Sequence, residues 1–128
     1  MEASMISYVV YIDHEHAKIF KMKPGETETM NLHHHVHLHH KNNQDDKKKD
    51  SGKMFHEIAK SLNAAREILI LGHGTAKDQF VHHLNEHCHK AVAEKIVGIE
   101  TVDKPTEKQV LAIARKFFKT AHLYSKNS

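Results

Sequence analysis

Ile68-Leu69-Ile70-Leu71-Gly72-His73-Gly74-Thr75-Ala76-Lys77 decides the fold. Four large aliphatic residues in a row suit a central strand covered on both faces. Gly72 and Gly74 break the run, and glycine adopts the positive φ that a tight turn needs. Thr75 and Asp78 then resemble a capping box, with Phe80, Val81 and Leu84 on one helical face. A strand that feeds directly into a helix is half of a parallel β-α-β unit.

Downstream, Ile96 to Val102 reads as a further strand. Asp103 is expected to cap a final helix, with Pro105 in its first turn. Val110, Leu111, Ile113, Ala114, Phe117 and Phe118 supply that helix with a core face. Upstream, Met54, Phe55, Ile58, Ala59, Leu62 and Ala65 form one helical stripe, with Ser51 as N-cap. Residues 41–53 contain no apolar side chain. They have nothing to bury against the entropy of ordering, so a mobile polar loop is expected there. Before it come three strands, Ile6 to Ile12, Ala17 to Met22 and Thr27 to His40. The turns Asp13-His14-Glu15-His16 and Lys23-Pro24-Gly25-Glu26 separate them, which predicts an antiparallel meander. The order βββαβαβα is that of an α/β, RNase H-like fold: a five-stranded mixed sheet with three helices. At 128 residues one domain is expected. Its core spans about residues 6–118, and a basic tail covers 119–128.

Composition narrows the function classes. Nineteen Lys and Arg against 16 Asp and Glu leave a formal charge of +3, mildly basic and no signature of nucleic acid by itself. A single cysteine, Cys88, excludes an internal disulfide and fits a reducing compartment. No stretch reads as a signal peptide or is long enough to span a bilayer, so a cytoplasmic protein away from membranes is expected. Trp is absent and aromatics are few, which argues against stacking platforms for single strands.

The most unusual segment is His33-His34-His35-Val36-His37-Leu38-His39-His40, six histidines in eight residues. As a strand it would place His33, His35, His37 and His39 on one face. Such a ladder could bind a metal, contact RNA or change charge near neutral pH. It lies in the interior of the chain and is interrupted by Val36 and Leu38, unlike a purification tag.

Five stretches resemble one known family. They are residues 11–20 (Tyr-Ile-Asp-His-Glu-His-Ala-Lys-Ile-Phe), the histidine run, residues 55–59 (Phe-His-Glu-Ile-Ala), residues 68–77, and residues 97–106 (Val-Gly-Ile-Glu-Thr-Val-Asp-Lys-Pro-Thr). Together they are similar to a bacterial family of translational machinery proteins. Its members look like stand-alone relatives of the middle domain of Pelota and of class 1 archaeo-eukaryotic release factors. The resemblance runs from about Tyr8 to Phe118 and implies an RNase H-like fold and a role in translation. The chain departs from the bacterial pattern at His73 and Lys104, where Pro and His are expected. In release factors the loop after the third strand carries Gly-Gly-Gln. Here that region has Gln44 but no Gly-Gly-Gln, so peptidyl-tRNA hydrolysis is not expected. Pelota also lacks the motif, so a ribosome-binding role remains the implied one.

The residues themselves offer several chemistries. The Gly72 to Lys77 turn leads into a helix N-terminus, where amides and Lys77 would suit a phosphate. It is not a Walker motif, since no Gly-Lys-Ser/Thr follows. His83 and His87, four apart, share a helical face and have a spacing that can hold zinc or nickel. His-Glu-x-x-His is absent, which removes the metalloprotease reading. His14 and His16 could join His33, His35 and His37 as a second metal set, with Asp13 or Glu15 beside them. A two-metal nuclease would need clustered carboxylates. Asp13, Asp78, Glu86, Glu100 and Asp103 form no compact set in the sequence.

The leading expectation is a non-enzymatic, translation-associated factor that binds the ribosome or structured RNA, with stalled or dormant translation as its setting. His35, His37, His39, Lys41, Lys47, Lys48, Lys49 and Lys77 are its expected RNA contacts. The alternative is a histidine-rich protein binding divalent metal. No cofactor is expected to be required. The third strand, as an unpaired edge, is the expected route to a homodimer.

Overall fold

The structure, a computed structural model, describes residues 5–33, 44–87 and 89–126. Three strands come first: β1 (Ser7–Ile12), β2 (His16–Lys23) and β3 (Glu26–His33). Then follow α1 (Gln44–Ser61), β4 (Glu67–Gly72), α2 (Ala76–Glu86), the short α3 (Lys90–Ala93), β5 (Ile96–Thr101) and α4 (Glu107–Lys126). The sheet order is β3-β2-β1-β4-β5. Pairing is antiparallel between β1 and β2 and between β2 and β3, and parallel between β1 and β4 and between β4 and β5. The order βββαβαβα and the five-stranded mixed sheet are as expected. The short α3 is an addition between α2 and β5, so there are four helices rather than three.

Alternation along the central strands explains why both faces are covered. Tyr8, Val10, Ile12, Ile68 and Ile70 face one side, where Phe55, Ile58, Leu62, Phe80, Leu84 and Val92 pack from α1, α2 and α3. Val9, Leu69 and Leu71 face the other, against Val110, Ala114 and Phe118 of α4. A strand buried on both faces must be apolar throughout, which is why β4 reads as an unbroken aliphatic run.

Several boundaries differ from the sequence reading. Residues 44–53 are helix, not loop, because α1 begins ten residues before its apolar stripe. Lys and Gln are good helix formers, and acidic residues such as Asp45 and Asp46 suit a first turn. Once the stripe from Met54 to Leu62 is anchored, adding turns requires no burial of their own. Ser51 is therefore inside a helix rather than at its cap. The cap of α4 is Thr106, not Asp103. Gln109 N donates to Thr106 Oγ1 at 3.1 Å and Thr106 N donates to Gln109 Oε1 at 2.8 Å, a reciprocal capping box. Pro105 accordingly precedes that helix instead of lying in its first turn. Thr75 does stand at the N-cap of α2, but its side chain makes no capping bond. It contributes only its carbonyl, which accepts Gln79 N at 3.0 Å. The third strand ends at His33 within the described residues. The rest of the histidine run lies outside them.

Candidate functional site

β1, β3 and β4 all end at the same edge of the molecule, since β2 reverses direction twice. α1 must start at that edge too, because it finishes where β4 begins. The chain leaves β4 for α2 on one face of the sheet and leaves β5 for α4 on the other. The topology puts the crevice position of an open α/β sheet, the usual place for a site, between those two departures at the carboxyl ends of the parallel strands.

The crevice is built from turns held by their own side chains. Asp13 Oδ1 accepts Glu15 N at 2.8 Å and His16 N at 2.6 Å, which shapes the turn from β1 to β2. Gly72 lies against β1: a Cβ there would sit 2.6 Å from the Ile12 carbonyl oxygen. Gly74 has φ of +78°, and His14 Nε2 would lie 3.7 Å from a Cβ at that position. Val102 N donates to the Gly72 carbonyl at 2.8 Å. His73 Nδ1 faces Asp103 Oδ1 at 3.6 Å across the two loops. Lys104, the next residue, has φ of +42°, a left-handed conformation uncommon outside glycine. The rim thus carries imidazoles, a carboxylate and a lysine with no single dominant sign of charge.

Lys77 is placed differently from the sequence reading. It is buried, its Nζ donates to the Gly74 carbonyl at 2.7 Å, and it lies 3.9 Å from Asp78. Its ammonium closes the turn from beneath instead of standing on the surface for phosphate. Nothing in the sequence distinguishes an inward lysine from an outward one at a helix start.

The expected metal residues lie partly within the described residues and partly outside them. His16 and His33 are opposite each other across β2 and β3. His14 lies in the turn from β1 to β2, beside Gly74. His35, His37, His39 and Lys41 lie outside the described residues. Lys47, Lys48 and Lys49 fall in the opening turns of α1. His83 and His87 do meet, with ring centres 4.3 Å apart. Their neighbour His56 was not legible in the sequence, since it comes from another helix. The pairing of His73 with Asp103 was also missed, because Asp103 reads first as a helix cap.

β3 is an edge strand, as expected, and β5 is the other edge. No helix among the described residues is long and apolar enough to cross a membrane.

No protein-family model and no curated protein sequence matches this chain. Solved structures do. Pelota from Archaeoglobus fulgidus is similar at a TM-score of 0.62 and 15% identity, over 95% of this chain and 36% of that one. The archaeal translation termination factor aRF1 gives 0.56 and 14%, over 95% of this chain and 41% of its own. Dom34 from S. cerevisiae, a translation termination-like factor involved in RNA quality control, gives 0.56 and 7%, over 87% and 33%. The chain thus spans well under half the length of these proteins. It resembles one domain of the Pelota and archaeal release-factor proteins.

Proposed function

We propose that this protein is a translation-associated factor that works by binding the ribosome or structured RNA, not by catalysis. The observation that carries this reading is the shared fold: nearly the whole chain superposes on part of Pelota and aRF1. The absence of Gly-Gly-Gln from the sequence supports binding over peptidyl-tRNA hydrolysis. The contact surface in this reading is the edge where β1, β3 and β4 end. The histidine run departs from β3 there, and the lysine-rich opening of α1 returns to it. Lys47, Lys48 and Lys49 meet phosphates, and His35, His37 and His39 meet phosphates or exposed bases.

Sedimentation of untagged protein through a sucrose gradient, from growing and starved cells, tests this. The protein should travel with ribosomal particles at low salt and be shed as salt rises. Replacing Lys47, Lys48 and Lys49 with Gln should reduce the salt slope of binding by about one per lysine. A protein that stays at the top of the gradient in both conditions, or binds with no salt dependence, would overturn the reading.

A further inference from the structure

Four imidazoles form a chain of neighbours on the helical layer away from the crevice, His56 to His89 to His83 to His87. His56 comes from α1, His83 from the last turn of α2, His87 from its C-cap, and His89 from the N-cap of α3. Ring centres are 4.3 Å apart for His83 and His87, 5.3 Å for His56 and His89, and 5.9 Å for His83 and His89. We propose that His56, His83, His87 and His89 form a site for a divalent transition metal of the zinc class.

Ring centres are the informative quantity. Two imidazoles on one zinc, each bound at about 2.0–2.1 Å, have centres roughly 5 Å apart. The three separations bracket that value. The rings now lie stacked at 23° for His83 and His89 and tilted at 35° for His83 and His87, and as they stand no group of three or more His, Cys, Asp or Glu among the described residues could hold a metal ion. Rotation about the Cβ–Cγ bond re-aims the nitrogens and leaves each ring centre nearly in place. That torsion is broad for histidine. The needed adjustment is therefore in the softest degree of freedom the side chain has.

Further features favour a metal. His83 and His87 are four residues apart, so one helix presents both from the same face. His83 Nε2 is enclosed with no hydrogen-bond partner, and a buried nitrogen left unpaired is unfavourable until something coordinates it. Burial, followed by the neighbouring His87, His89 and His56, holds the His83 imidazole below its usual pKa. The backbone positions are fixed as well. His87 N donates to the His83 carbonyl and His89 N to the Leu84 carbonyl, both at 3.0 Å. Phe55 stands against His83 with centres 5.4 Å apart and shields that side from water. Glu86 is engaged by His82 at 3.0 Å and is not needed as a ligand.

The histidine run would bind metal regardless of this cluster, so the test uses the full chain carrying H33S, H34S, H35S, H37S, H39S and H40S. Cobalt(II) is titrated as the probe and then displaced by zinc. One equivalent should bind with the intense visible bands of a four-coordinate ion. H83Q/H87Q should lower affinity by about tenfold or more, and H56Q/H89Q should do the same from the other two elements. Metal-free circular dichroism and melting confirm that each variant is folded, and two independent pairs guard against one failing to fold. Weak binding of several equivalents, unchanged by both double variants, would overturn the proposal. The ribosome test does not depend on this result, since the cluster lies apart from the proposed contact edge.

Discussion

The two ends of β1 and β4 are built on opposite terms. At their N-terminal ends Glu67 is buried, and its Oε2 accepts Ser7 Oγ at 2.5 Å and His122 Nε2 at 2.8 Å. That carboxylate ties β1, β4 and the far end of α4 into one unit. At their C-terminal ends, apart from the buried Lys77, glycines replace side chains and the exposed His73 and Asp103 stand apart at 3.6 Å. A buried carboxylate that receives two donors locks packing, because removing any partner leaves an unmet polar group inside. Exposed groups on turns shape those turns locally and constrain the packing of the strands less. The contrast places the tighter packing constraint at the N-terminal ends and the exposed polar groups at the other.

The largest expected effect comes from Gly72, where the open end touches the scaffold. A Cβ at this position would lie 2.6 Å from the Ile12 carbonyl oxygen and 3.2 Å from Lys77 Cβ. The first obstacle is backbone in a paired strand and cannot swing aside. Gly72→Ala should therefore lower stability by about 3 kcal/mol, the upper part of the range for overpacking, measured by urea denaturation. A loss below about 0.5 kcal/mol would show that β1 and β4 can separate there without penalty. Glu67→Ala at the closed end should cost about 1–3 kcal/mol, since Ser7 and His122 both lose their acceptor. Hydrogen exchange should rise in α4 near His122 before it rises in the central strands. Uniform exchange would mean that Glu67 does not hold α4 in place.

The closed end and the strands were more legible in the sequence than the open end. β1 and β4 are apolar on both faces, and that property depends only on composition over six residues. The turn at Gly72 and Gly74 was legible for the same local reason. The first half of α1 was not, because polarity argues against burial but does not argue against helix. Thr106 and Gln109 form a capping box that the nearer Asp103 obscured. The inward placement of Lys77 and the gathering of His56 with His89 depend on which surfaces helices present to each other. No window of sequence contains that information.

The smallest effect tests whether the open end is free of structural duty. The side chains of His73 and Asp103 are 54% and 79% exposed, so water screens whatever attraction they have. Exposed ion pairs are worth about 0.2–1 kcal/mol at most. A double-mutant cycle with His73→Ala and Asp103→Ala should give a coupling below about 0.5 kcal/mol, with melting nearly unchanged. A coupling as large as the loss from Glu67→Ala would make this pair a brace between β4 and β5, and the contrast between the ends would fail. The same two variants then read recognition separately. If the crevice rim touches the ribosome or RNA, sedimentation with ribosomal particles should weaken while stability stays put. Unchanged sedimentation would confine the contact to the histidine run and the opening turns of α1, leaving the crevice outside the interface.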